Sequence, residues 1–278
     1  MTPTARAPEA LRLWLILMLV ALLSACGTSR PADPVLPHAS FTLQSKAVNE
    51  LRRINVYTPP GYKDSNARYP VLYMPDGGIK EDFPHITNTI DKLIRENAIA
   101  PVLVVGIENT KRRRDLSGPT QVPSDREIAP VVGGSAAFRK FISDELIPHI
   151  ERTYRCTDQR AIVGESAAGI FAVETLFLQP DLFDRYIAVD PALWWNNHEL
   201  VRKAAARLPG LVHKPTRLWF AASDTSDIKP WSDQLAEILQ STAPGELQWT
   251  YQPMPQEKHH TIFRASKEQA FRWELWKS

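Results

Sequence analysis

The chain has 278 residues, 44% of them hydrophobic and 23% charged, with a formal net charge of +2. That length and composition allow one large buried core, and near-neutrality removes any electrostatic case for nucleic-acid binding. Two cysteines in such a length exclude a disulfide framework.

In chain order, Arg6 and Arg12 precede the apolar run Leu13 to Leu23, which ends at Ser24-Ala25-Cys26. The run is too short to span a bilayer and fits the apolar region of a signal peptide. Residues 1–25 therefore read as a leader. Leu23-Ser24-Ala25-Cys26 resembles a bacterial lipobox, which makes Cys26 the expected lipidation site and a membrane the expected partner through one lipid anchor. By resemblance to enterobacterial lipoproteins, Gly27 after the cysteine implies an outer-membrane lipoprotein facing the periplasm; a soluble periplasmic protein is the alternative. Residues 26–38, rich in Pro, Ser and Ala, read as a tether, and 39–278 as the folded domain.

The domain alternates strands and helices. Phe41 to Leu43 and Leu51 to Tyr57 form an opening antiparallel pair, and Tyr69 to Met74 a buried strand ending in Pro75-Asp76-Gly77-Gly78. A helix spans Ile86 to Asn97 and a continuously apolar strand Val102 to Ile107. Lys111 to Gly134 reads as a long polar loop, its basic run Lys111 to Arg114 solvated. A helix over Ala136 to Tyr154, a strand Arg160 to Gly164 and a helix Ala167 to Gln179 follow. Then come strand Tyr186 to Val189, a helix near Glu199 to Leu208, and strand Arg217 to Ala222 with a helix from Pro230 to Leu239. Strand Leu247 to Met254 and a closing helix Lys267 to Trp276 complete the series. This alternation predicts an α/β fold with a mostly parallel sheet and helices on both faces. Cys156 reads as a partly buried structural thiol.

The chemistry concentrates at Ala161 to Gly169, AIVGESAAG: a short strand, a serine between small residues, then an apolar helix. That is the layout of a nucleophile elbow, which makes Ser166 the candidate nucleophile. Ala168 stands where the strict pattern has its second glycine, and Gly169 comes one later. A serine hydroxyl needs a base in hydrogen-bond reach, and the base an orienting acid. In chain order after such a serine, the acid is expected on the loop Ser223-Asp224-Thr225-Ser226-Asp227, with Asp227 preferred and Asp224 the alternative. The base is expected in Lys258-His259-His260, with His259 preferred over His260. No carboxylate or histidine cluster at metal-ligand spacing accompanies that pair, so neither metal nor cofactor is expected. For the oxyanion, the expected donors are the amide of Ala167 and one from Gly77-Gly78, where glycine allows close approach.

With these residues assembled, the chain resembles the esterase family of α/β-hydrolases that includes the periplasmic siderophore (enterobactin-type) esterases. The motifs are Ile54-Asn55-Val56-Tyr57 with Pro59-Pro60-Gly61-Tyr62, Tyr69-Pro70-Val71-Leu72-Tyr73 with Asp76-Gly77, and Arg112-Arg113-Arg114-Asp115. The elbow Gly164 to Gly169 and the loop Asp190-Pro191-Ala192-Leu193-Trp194-Trp195-Asn196 complete the set. The resemblance implies hydrolysis of a small-molecule carboxylic ester by serine and histidine without a metal. Trp194 and Trp195 stand on the loop after the strand that follows the elbow, where ligands of open α/β sheets bind, and are candidate pocket walls. Two other readings fit the same residues. One is an acyltransferase using the same acyl-enzyme; the other is a non-catalytic ligand-binding lipoprotein.

Overall fold

Eight strands form one sheet in the order β1-β2-β4-β3-β5-β6-β7-β8. The computed structural model of the chain describes residues 32–277, so the leader and Cys26 lie outside the described residues. Residues 34–277 pack as one compact unit. Strands β1 (Ala39–Ser45) and β2 (Glu50–Tyr57) pair antiparallel, and β2 runs antiparallel to β4 (Leu103–Ile107). The remaining ladders, through β3 (Tyr69–Pro75), β5 (Cys156–Glu165), β6 (Arg185–Val189), β7 (Thr216–Ala222) and β8 (Leu247–Pro253), are parallel. This is the α/β-hydrolase type of sheet. Its central strands are buried on both faces, which is why they read as unbroken apolar runs.

The helices divide between the two faces. On one side lie α1 (Phe83–Arg95) and α8 (His259–Glu274), packed with Leu72, Met74, Val104 and Val163. On the other, Val71, Tyr73, Val105 and Ile162 meet α5 (Ala167–Leu178), α6 (Trp195–Arg207) and α7 (Lys229–Thr242). The same face takes a helix over 135–153, α4. It is π-helical over Ile142–Leu146, just ahead of Pro148, whose missing amide an α turn would need. The strand residues alternate between the two cores, as the period of two requires. Cys156 is buried, and burial pushes its thiol up to about 11.

Two elements differ from the sequence reading. The polar stretch 111–134 is structured: it contains α2 (Arg112–Leu116) and α3 (Pro123–Ile128). Its basic run is mostly paired. Asp115, almost fully buried, binds Arg52, and Arg114 donates to Glu50 at 2.6 and 2.9 Å. The closing helix also begins eight residues earlier than its apolar spacing shows, at His259.

Candidate active site

The elbow is built by close packing. Ser166 sits between β5 and α5 at φ 58°, in the left-handed region that ordinary residues avoid. A Cβ at Gly164 would lie 2.5 Å from the backbone of Ala168, so glycine there lets the helix fold back over the strand. Ala168 is thereby accommodated at the relaxed position of the motif. The strained turn is held from the next strand: Ser166 N–H donates to Val189 O at 3.0 Å, and Ala192 N–H donates to Ser166 O at 3.1 Å.

His259 joins two side chains brought from different loops. Its Nε2 lies 3.1 Å from Ser166 Oγ and its Nδ1 2.8 Å from Asp190 Oδ2. With Asp190 as the acceptor at Nδ1, the proton of the neutral ring belongs there. Nε2 is then free to accept from the serine hydroxyl. Asp190 is fully buried at the end of β6. Its carboxylate accepts from Ser223 N–H at 2.6 Å and Ser223 Oγ–H at 2.8 Å, both at the end of β7. The hydrogen bond to Asp190, opposed by burial and aided by the nearby Glu165 charge, raises the His259 pKa above the ordinary histidine value.

The carboxylate that binds His259 is therefore not one of the two expected from the sequence. Asp227 is exposed beyond the end of β7, and Asp224 binds Lys258 Nζ at 2.5 Å; neither makes a hydrogen bond to His259. The loop after β7 contributes Ser223 instead, as the support of Asp190. His260 is exposed on the first turn of α8, away from the Ser166 contact.

The glycine pair is also corrected. Gly77 N–H donates to Ile107 O at 2.9 Å and Gly78 N–H to Glu81 Oε2 at 2.7 Å, so both amides are engaged inside the protein. Gly77 is glycine because a Cβ would come within 2.2 Å of the Gly106 backbone. Ala167 is the first residue of α5, directly after Ser166, so its amide lacks an intrahelical acceptor.

Arg112, read from sequence as part of a solvated loop, stands at the site. Its Nε and Nη2 donate to the two carboxylate oxygens of Asp76 at 2.6 and 2.7 Å. Asn109 also donates to Asp76, and Arg112 Nη2 lies 3.4 Å from Glu165 O, one residue from the serine. A bidentate pair with a buried carboxylate fixes the plane of the guanidinium. Glu165 itself is pushed up to about 7 by burial, against the pull of His259 and Arg112.

A cavity of about 110 Å³ adjoins Ser166 and is lined by Arg112, Ala167, Ile170, Ala192, Trp194 and Trp195 among others. Both tryptophans border it. Trp195 is buried and donates Nε1–H to Gly118 O at 2.9 Å, while Trp194 is half-buried. Behind them Asn196, Asn197 and His198 take left-handed conformations. Asn196 N–H donates to Asp125 Oδ2 at 2.9 Å and its Oδ1 accepts from Gln121 N–H at 2.9 Å, tying the 111–134 segment to the tryptophan loop.

The family model described as "Putative esterase" matches residues 45–277. The chain belongs to this esterase family. Among characterised members, it is 30% identical over 177 residues to the ferri-bacillibactin esterase BesA of Bacillus subtilis. That alignment covers 56% of this chain and 59% of that protein. It is 25% identical over 231 residues to the iron(III) salmochelin esterase of Escherichia coli, covering 78% of this chain and 48% of the relative. The chain thus spans about half the length of these curated relatives. A Shewanella oneidensis structure described as an IroE-like serine hydrolase superposes with a TM-score of 0.79 at 28% identity, covering 85% of this chain and 79% of the other. The BES protein of Bacillus cereus shares the fold, with a TM-score of 0.75 at 20% identity over 88% and 98% of the two chains.

Proposed function

We propose that this member of the esterase family is a serine carboxylic-ester hydrolase that cleaves a small siderophore-type ester through an acyl-enzyme. The observation that carries the reading is His259, held between Ser166 Oγ at 3.1 Å and the buried Asp190 at 2.8 Å.

In this reading Ser166 Oγ attacks the ester carbonyl as its proton passes to His259 Nε2. The imidazolium is stabilised by Asp190, which keeps its charge and does not take the proton. The developing oxyanion is met by the Ala167 amide and by the Arg112 guanidinium, which Asp76 holds in place. His259 then protonates the leaving alkoxide. A water activated by the same Nε2 attacks the acyl-enzyme and returns the serine. The small cavity beside Trp194 receives one side of the ester, and the remainder of a larger substrate lies outside it. The siderophore class rests on the ester substrates of the relatives; the chemistry rests on the geometry.

The leader sequence supports a cell-envelope location with a lipid on Cys26, and loss of lipid labelling in Cys26→Ser tests it. The hydrolytic reading is tested with a short-chain p-nitrophenyl ester and with ferri-bacillibactin, comparing wild type with Ser166→Ala. A fluorophosphonate probe should label Ser166. Failure to label a folded wild-type protein, together with no hydrolysis, would overturn the proposal.

A further inference from the structure

The strands that deliver Asp190 and Ser223 to the active site begin at the opposite edge of the sheet, and a second constellation is built there. Arg185 opens β6 and Arg217 lies second in β7, and the two are directly paired across the parallel ladder. Their side chains therefore leave the sheet on the same side, toward α8. Like charges set opposite one another on neighbouring strands repel.

The surroundings do not balance this pair. Arg217 Nε donates to Glu274 Oε2 at 2.9 Å, whereas Arg185 reaches only the Glu274 backbone carbonyl, through Nη1 at 2.5 Å. Arg185 Nε is buried without a partner, and its Nη2 has no protein acceptor among the described residues. Glu274 is fully buried, and burial pushes its carboxyl up to about 7, so its negative charge is incomplete at neutral pH. The neighbouring Asp184 is committed to Lys214 Nζ at 2.6 Å and to the Arg160 amide at 2.8 Å. Each arginine also lies along an indole: Arg217 is 4.0 Å from the Trp273 ring centroid and Arg185 4.8 Å from that of Trp276. Stacking holds the guanidinium planes but supplies no counter-charge.

Two cavities, of about 570 and 510 Å³, adjoin the pair and share Arg185, Arg217 and Trp276 in their walls. Arg160 and Lys214 border the first together with Asp158 and Asp184, and Arg68 and Lys277 border the second, so basic side chains outnumber acidic ones around the cleft. We propose that this cleft is an anion site that binds a phosphate-type oxyanion, with Arg185 as its principal ligand and Lys214 at its rim. A guanidinium with an unused nitrogen presents the donor geometry that phosphate oxygens accept. The same chemistry is offered by a soluble phosphate ester and by a phospholipid headgroup. The site is independent of hydrolysis, because Arg185 and Arg217 lie at the strand ends remote from Ser166.

The test is calorimetric titration of the full chain with pyrophosphate at constant ionic strength, for wild type, Arg185→Met, Lys214→Met and Glu274→Gln. A parallel arm measures sedimentation with phosphatidylglycerol vesicles against phosphatidylcholine vesicles. The expected result is saturable one-to-one binding, weakened at least tenfold by Arg185→Met and severalfold by Lys214→Met at the half-buried rim. Glu274→Gln, which removes the competing carboxylate, should tighten it. Saturation by pyrophosphate alone identifies a soluble phosphate ester. Phosphatidylglycerol binding that is lost in Arg185→Met identifies the headgroup. Binding that does not saturate, or that is equal in wild type and both cation variants with their ester hydrolysis intact, overturns the proposal.

Discussion

Asp190 Oδ2 accepts the Nδ1–H of His259 at 2.8 Å although the first residue directly follows β6 and the second opens α8, beyond β8. The carboxylate is completely buried and takes two further hydrogen bonds from Ser223. Its geometry is thus fixed before any substrate arrives, and the imidazole is held in the tautomer that accepts from Ser166.

The first prediction separates Asp190 from the aspartates favoured by sequence. Asp190→Asn should lower kcat for ester hydrolysis by about a thousandfold or more, because the amide stabilises neither the correct tautomer nor the imidazolium. Asp227→Asn and Asp224→Asn should leave kcat within about threefold, since neither carboxylate binds His259. Steady-state kinetics on one ester substrate checks all three. A larger loss in Asp227→Asn than in Asp190→Asn would reverse the assignment.

The reason Asp190 escaped the sequence reading is topological. β6 pairs directly with β5, so the first residue after β6 is brought as close to the elbow as any residue after β7. Order along the chain places the acid between serine and histidine, and Asp190, Asp224 and Asp227 all satisfy that order. The bond to His259, the burial of Asp190 and the two bonds from Ser223 distinguish them in space. The elbow itself was legible because steric demand writes it into the sequence: Gly164 must lack a Cβ, and the residues around Ser166 must be small. The strands were legible because burial on both faces leaves unbroken apolar runs. The start of α8 was not, since Lys258-His259-His260 carries no apolar spacing. Its cap is local: Lys258 N–H donates to Thr261 Oγ1 at 2.9 Å. Arg112 reads as solvated in the sequence because its partner Asp76 lies 36 positions earlier in the chain.

The pH profile follows from His259. The base acts when neutral, so kcat/KM should rise with pH through the His259 pKa, which lies above the ordinary histidine value of 6.5. Loss of the Asp190 bond favours the neutral ring, so the residual activity of Asp190→Asn should have its acid limb at lower pH. Glu165→Gln, which removes a negative neighbour, should shift the limb in the same direction while leaving the Ser166 contact intact. Rate measurements between pH 5 and 9 read both shifts. An acid limb that stays in place in both variants would remove His259 as the titrating base.

Arg112 should act on kcat more than on KM. If its guanidinium meets the oxyanion, Arg112→Met lowers kcat by about a hundredfold, the loss expected for one such donor. Arg112→Lys keeps the charge but not the fork that Asp76 grips, and should recover only part of the rate. Single-turnover acylation by a p-nitrophenyl ester isolates the step. An unchanged acylation rate with a raised KM would instead make Arg112 a substrate-binding group.

Glu274 makes a stability prediction remote from the active site. Its carboxyl is raised from 4.5 to about 7 in the folded protein by burial, so the native state holds a proton that the unfolded chain releases near pH 4.5. A raised carboxyl pKa contributes stability that is fully present below about pH 4.5 and is lost as pH rises through 7. The loss is about 3 kcal/mol, from a displacement of that size. Glu274→Gln keeps an acceptor for Arg217 Nε and cannot ionise. Its stability relative to wild type should therefore climb between pH 5 and pH 7.5. Urea unfolding at those two values measures the difference. Parallel stability curves for the two proteins would mean that Glu274 is already ionised at pH 5, held so by Arg217 despite its burial.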